Sequence, residues 1–188
     1  MKKVLFFAVA LMMGLSAQAV NAQNRGYEKS IEVGYAIGVG DLRNSVIHLS
    51  MINGFRFNNA LFAGVGVGVG FSNALHTTNV ANSEDSRMEA IPIPIFANIK
   101  VNLSSNTNIT PFLSLNVGYT IDANQYLRDA PGFMIQPNFG VDFRTTDRSS
   151  IYGLVGFNLQ NWSYVDMQEI TRKSEMFRAI DLRIGFRF

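Results

Sequence analysis

Beyond residue 26 the chain alternates. In residues 27–40 the odd positions Ile31, Val33, Tyr35, Ile37 and Val39 are apolar, while Glu28, Ser30, Glu32, Gly34, Ala36 and Gly38 between them are small or polar. A period of two is that of a β-strand with one apolar face. The pattern returns in residues 46–57, where Ile47, Leu49, Met51, Phe55 and Phe57 oppose His48, Ser50, Gly54 and Arg56. In residues 60–71 Leu61, Ala63, Val65, Val67, Val69 and Phe71 oppose Phe62, Gly64, Gly66, Gly68 and Gly70. Residues 91–103 set Ile91, Ile93, Ile95, Ala97, Ile99, Val101 and Leu103 against Phe96, Asn98, Lys100 and Asn102. Residues 109–122, 133–144, 151–160 and 177–188 repeat the scheme, which predicts eight strands in all.

The connections also alternate in character. Asn58-Asn59, residues 104–108 and residues 145–149 are short, whereas 72–87, 123–131 and 162–174 are longer; residues 41–44 are the exception. Short turns at one rim and longer loops at the other is the asymmetry of an outer-membrane barrel, periplasmic side against extracellular side. Each run also reaches the ~9–11 residues that a tilted strand needs to cross a bilayer.

Alternation by itself would equally suit a soluble sandwich or a lipocalin-like cup. The second face separates the cases. It carries Gly64, Gly66, Gly68, Gly70, Gly118, Gly140, Gly156 and Gly185 among charged residues. Parity turns five acids (Glu28, Glu32, Asp122, Asp142, Asp181) and five bases (Arg56, Lys100, Arg144, Arg183, Arg187) to that side, a neutral set. In an eight-stranded barrel the interior is just wide enough for side chains to fill, so small residues and paired charges are expected there. The expected fold is therefore all-β, an eight-stranded antiparallel up-and-down transmembrane β-barrel. Phe55, Phe57, Phe143, Phe186 and Phe188 fall towards the short-turn rim, and Phe71, Phe133, Trp162 and Tyr164 towards the long-loop rim, as interfacial belts would. Pro92, Pro94 and Pro137 fall inside expected strands, where each removes a ladder donor. Hydrogen bonding in the fourth run is expected to begin after Pro94, and a bulge is expected at Pro137.

Composition narrows the rest. Hydrophobic residues make up 47% of the chain, yet past the leader no apolar run approaches the ~20 residues of a membrane-spanning helix. The absence of cysteine excludes disulfides, thiolate metal sites and a lipoprotein anchor. A net charge of +2, scattered along the chain, gives no basic stripe for nucleic acid. Lys2 and Lys3, an apolar stretch from Val4 to Leu15 and small residues up to Ala22 have the form of a secretory signal. Residues 1–22 are read as a cleaved leader, with cleavage after Ala19 as the second choice, and 23–188 as one barrel domain exported to the outer membrane.

At the last strand the pattern becomes specific. Phe188 is preceded at every second position by Phe186, Ile184, Leu182 and Ile180. This resembles the C-terminal signature of bacterial outer-membrane proteins, which implies the barrel-assembly machinery as a partner during biogenesis. The mature chain resembles the small OmpA/OmpX-like barrels, in particular the porin-like "outer membrane protein beta-barrel domain" family. The segment Ile91-Pro92-Ile93-Pro94-Ile95-Phe96-Ala97-Asn98 is similar to one often seen there. With Phe188 as the terminal residue, the peptidoglycan-binding domain of full-length OmpA-type proteins is expected to be absent.

Candidate chemistry is sparse. His48 and Ser50 have the His-x-Ser spacing of a lipid A deacylase, but parity points both inward, away from lipid. His76 and the Ser83-Glu84-Asp85 cluster lie in the longest loop and offer a metal only weak oxygen ligands. Gly64 to Gly70 lacks the strand–turn–helix setting of a phosphate loop. The expectation is a non-enzymatic barrel without metal or cofactor, its lumen packed, with a structural role or a ligand held by loops 72–87, 123–131 and 162–174. A narrow pore is the alternative, and a lipid A-modifying enzyme a more remote one. Water-filled channels come with barrels of about sixteen strands. Outer-membrane lipid is the expected surround.

Phe188→Asp should lower the yield of heat-modifiable barrel in outer-membrane fractions, because the final strand loses its lipid-facing terminal aromatic. Unchanged levels would show that the terminal pattern is incidental.

Overall fold

The alternating runs form β1 (Tyr27–Gly38), β2 (Ser45–Arg56), β3 (Leu61–Asn73), β4 (Pro92–Asn102), β5 (Ile109–Asp122), β6 (Ala130–Arg144), β7 (Ser150–Asp166) and β8 (Thr171–Arg187). The structure, a computed structural model, describes residues 26–39, 45–73, 91–103, 108–123, 130–146, 149–166 and 171–188. The leader, residues 41–44 and most of loops 72–87 and 123–131, with His76 and Ser83-Glu84-Asp85, lie outside the described residues.

Each strand pairs antiparallel with its neighbours in sequence, and β8 returns to β1, so the sheet closes on itself as an eight-stranded up-and-down barrel. The closing ladder runs from Ser30↔Arg187 to Gly38↔Ala179. Phe188 completes it: its N–H donates to the Lys29 carbonyl at 2.9 Å, and the Lys29 N–H donates back at 3.0 Å. In hydrocarbon every backbone polar group needs an internal partner, which only a helix or a closed barrel supplies.

Which face points outward is settled by neighbours on one strand. Ile184 is 69% exposed and Arg183 4%. Ile180, Leu182, Phe186 and Phe188 share the outward face with Ile184, joined around the barrel by Val33, Ile47, Val65, Ile99, Leu113, Phe139 and Val155. The apolar face is thus the exposed one, the reverse of a soluble fold. Phe55, Phe57, Phe143, Phe186 and Phe188 are exposed towards the short-turn rim, and Phe71 and Phe133 towards the other. The side chains of Trp162 and Tyr164 lie outside the described residues.

Several local expectations are corrected. Residues 162–174 are mostly not a loop: β7 and β8 remain paired from Trp162↔Glu175 to Asp166↔Thr171, a hairpin that outlasts the neighbouring ladders. Pro137 causes no bulge. The β6–β7 register is the same on both sides of it, and the shift lies instead between Pro131 and Met134. The pairs that Gln136 and Pro137 would form with β7 are missing, and the Gln136 carbonyl accepts the Asn138 side-chain amide at 3.0 Å. Pairing of β4 with β5 begins at Pro92, before Pro94, whereas pairing with β3 begins after Pro94, at Ile95, as expected. Asn58 shapes its turn through its side chain, whose oxygen accepts the N–H groups of Ala60 (2.9 Å) and Leu61 (2.8 Å). Met51, Val67, Val69 and Ile93 are buried, although parity puts them on the outward face.

The inward glycines make room for rings. A Cβ on Gly66 would strike the Phe96 ring, on Gly140 the Phe112 ring, and on Gly185 the Tyr152 ring. A methyl group there must push a packed ring aside, and overpacking costs about 1–3 kcal/mol. Gly185→Ala should lower the unfolding midpoint in detergent accordingly, whereas Gly153→Ala, with nothing within 4 Å of the added carbon, should leave it unchanged. Equal effects would refute the ring-niche account.

Candidate functional site in the barrel lumen

The inward face gathers polar side chains from all eight strands. Nearest the short turns, the Arg56 guanidinium grips Glu28 with two nitrogens, Nε to Oε1 and NH2 to Oε2, the latter at 2.8 Å. Arg187 lies 3.8 Å from Glu28 and 3.5 Å from Asp142, and Lys100 lies 3.6 Å from Asp142. The Lys100 ammonium also sits 3.7 Å from the centroid of Phe112 and 4.2 Å from that of Tyr152, as a cation–π contact requires. These two rings meet edge to face.

A second group lies above it, around Arg183. NH1 donates to Glu32 Oε2 at 2.7 Å, and NH2 donates to Asn138 Oδ1. Nε faces Asp181 Oδ2 at 3.3 Å, near enough for attraction but out of line for a hydrogen bond. Asp181 also accepts the Gln136 amide at 2.6 Å and lies 2.9 Å from His48 Nε2. The polar chain continues across the lumen from Gln136 to Asn116 and on to Asn98. The Tyr152 hydroxyl donates to Glu32 at 2.7 Å while its ring carries Lys100, so this residue joins the two groups.

In the lower group Arg56, Lys100 and Arg187 face Glu28 and Asp142, with the buried Lys29 bordering the cavity they share, and in the upper group Arg183 faces Glu32 and Asp181. In a low-dielectric interior such attraction is weakly screened.

Eight of the ten residues expected to line the lumen as charges therefore meet there. Arg144 does not. It is the last residue of β6, paired with Ser150 beside the short turn, and its side chain is exposed at the rim where water already solvates it. Asp122 keeps its place in β5, but its side chain lies outside the described residues. Tyr152 and the bond from His48 to Asp181 were missed by counting charges. Parity signals both, since each residue sits on the inward phase of its strand.

Space inside is limited. A cavity of about 20 Å³ adjoins Lys100, Tyr152 and Arg187, and one of about 60 Å³ lies on the long-loop side of Arg183. Ser50 and His48 border the larger cavity rather than the lipid face. Among the described residues no three His, Cys, Asp or Glu side chains converge as metal ligands would.

An outward apolar belt around a closed eight-stranded ladder with a polar interior decides the class. The chain has the fold of a small transmembrane outer-membrane β-barrel. The crystal structure of Neisserial surface protein A matches with a TM-score of 0.61 at 12% identity, over 86% of this chain and 96% of that one. OprG, an outer membrane protein of Pseudomonas aeruginosa, matches with a TM-score of 0.50 at 11% identity, over 88% of this chain and 97% of that one. No protein-family model and no curated protein matches the sequence.

Removing one partner of a buried ion pair leaves the other uncompensated, at a cost of about 3–5 kcal/mol. Arg183→Met strands both Glu32 and Asp181, so urea unfolding in lipid vesicles should show a loss of that size. Arg144→Met, at the solvated rim, should change stability by less than about 0.5 kcal/mol. A reversed order would mean that the inward assignment is wrong.

Proposed function

We propose that this chain is an integral protein of the outer membrane whose barrel is a closed platform rather than a channel or an enzyme. The observation that carries the reading is the Arg183 centre. It spans the lumen with ion pairs to Glu32 and Asp181 and a hydrogen bond to Asn138, and it lies between the two cavities. A hydrated path would need these bonds to separate. The platform serves either a structural role in the envelope or display of the connections at the long-loop rim, where residues 72–87, 123–131 and the paired end of β7–β8 are the candidate contacts for an extracellular ligand.

Export by the residue 1–22 leader and insertion by the barrel-assembly machinery belong to the same proposal. The pairing of Phe188 with Lys29 supports it, because the last strand completes the ladder that closes the barrel. Catalysis by the His-x-Ser pair is disfavoured by geometry. The acidic partner of His48 is Asp181, which is already engaged by Gln136 and Arg183, and the pair borders an interior cavity.

The test is conductance in a planar bilayer, run beside fractionation. The detergent-extracted, heat-modifiable protein should fractionate with the outer membrane and give no resolved channel steps. Reproducible steps would replace the platform with a narrow pore. Recovery from the soluble periplasm would contradict the membrane role altogether. Deleting residues 76–86 should leave the thermal unfolding of the barrel unchanged, because surface loops contribute little to closure.

A further inference from the structure

The upper end of β8 carries an open strand edge. The β1–β8 ladder ends at Gly38↔Ala179, and the Val39 N–H adds one last bond, donating to the Arg178 carbonyl at 2.8 Å. Beyond it β8 runs on to Thr171, paired with β7 without a register shift as far as Asp166↔Thr171. The other edge of β7 is covered by β6 up to Ala130↔Ser163. Among the described residues, no strand pairs with residues 171–176 of β8 on the side away from β7. Phase identifies the groups on that edge. Phe188 and Arg178, both even, direct their backbone to β1, so Arg172, Ser174 and Met176 direct theirs to the open side. The β1–β2 connection is too short to cover them. Ile37 and Ser45 are paired, so only half of residues 38–44 can climb, which ends level with Met176 and below Ser174 and Arg172. A tilted strand crosses the bilayer in ~9–11 residues. β8 has 17, so this end stands outside the membrane at the long-loop rim. Such an edge is a template for pairing with another chain.

The edge is complementary to itself. In an antiparallel ladder, opposed residues share a phase, so even positions of one copy oppose even positions of the other. The register that pairs all three edge residues turns about Ser174, with Ser174↔Ser174 and Arg172↔Met176. The same register sets Lys173 opposite Glu175 on both sides of the two-fold axis, at pairs that are not hydrogen-bonded, where side chains come closest. A slip of two residues either way opposes Lys173 to Lys173 or Glu175 to Glu175. Opposite charges across a ladder stabilise it, and like charges destabilise it. Full overlap and charge therefore select one register.

We propose that the edge of β8 at residues 172–176 is a homotypic contact site that joins this barrel to a second copy in an opposed membrane. The two-fold axis of an antiparallel pair is perpendicular to its strands. Copies side by side in one bilayer are related by an axis along the membrane normal. A strand that continues the barrel wall at a tilt of about 45° is not perpendicular to that axis. Copies facing each other from two membranes are related by an axis in the membrane plane, which meets a wall strand at a right angle where it passes out through the wall. Main-chain bonds then supply the affinity, as in strand addition to a sheet edge, and the Lys173–Glu175 pairs supply the register. The inference rests on the display reading, which it narrows from an extracellular ligand to a second copy of this chain.

The test is docking of vesicles. Folded, heat-modifiable barrel is reconstituted in two populations of phosphatidylcholine vesicles carrying donor and acceptor lipid dyes, and energy transfer between them reports contact. The unaltered barrel should dock the two populations. Lys173→Glu alone and Glu175→Lys alone each oppose like charges and should abolish docking. Vesicles of the first variant mixed with vesicles of the second oppose unlike charges again and should dock. The chain has no cysteine, so Ser174→Cys, about 5.5 Å from its own copy across a hydrogen-bonded pair, should give oxidised dimers between docked vesicles. Lys173→Cys, offset along the ladder from its copy, should give none. An unaltered barrel that does not dock overturns the proposal, as does docking that survives either charge change or a Ser174→Cys barrel that docks without forming dimers. A barrel that inserts, shows no conductance steps and does not dock would overturn the contact alone and leave the platform standing. Conductance steps would remove the platform whatever the docking result.

Discussion

An eight-stranded ring leaves so little room inside that every inward side chain must be matched in both volume and charge. Volume is matched by setting rings on glycines: Phe96 on Gly66, Phe112 on Gly140 and Tyr152 on Gly185. Charge is matched by two groups of ion pairs joined through Tyr152, the upper one centred on Arg183. The two requirements meet in the same residues, since the ring that fills the Gly185 niche also donates to Glu32 and carries Lys100. The outside is under no such demand, because lipid conforms to whatever apolar shape is presented. The outward positions accordingly hold interchangeable Ile, Val, Leu and Phe.

This asymmetry explains how much was legible in the sequence. Strand number, face assignment and the short-turn rim follow from a period of two, which has only two phases to choose between. Eight of the ten lumen charges followed from phase alone. Arg144 did not, because phase says nothing about height, and at the end of β6 an inward phase opens onto water. The β7–β8 hairpin reads as a loop because its apolar residues, Trp162 and Tyr164 on one phase and Val165 and Met167 on the other, hold no single stripe among the polar residues around them. The effect of Pro137 was misplaced for a related reason. A missing donor can be absorbed by leaving one pair open and giving the freed carbonyl to Asn138, with no change of register.

Pro92 and Pro94 are the instructive pair. As sequence they are two defects in a strand. In the barrel they share one phase, so both losses fall on one seam while the β4–β5 ladder stays intact. The seam they interrupt adjoins the cavity of about 60 Å³ that lies on the long-loop side of Arg183.

The central claim is that the Arg183 centre is a coupled unit and not a set of independent surface-like pairs. A double-mutant cycle between Glu32→Gln and Arg183→Met, read by urea unfolding in lipid vesicles, tests it most directly. Coupled buried partners should show an interaction energy of about 2 kcal/mol or more, the double variant losing far less than the sum of the single losses. Single losses that add to within about 0.5 kcal/mol would contradict it.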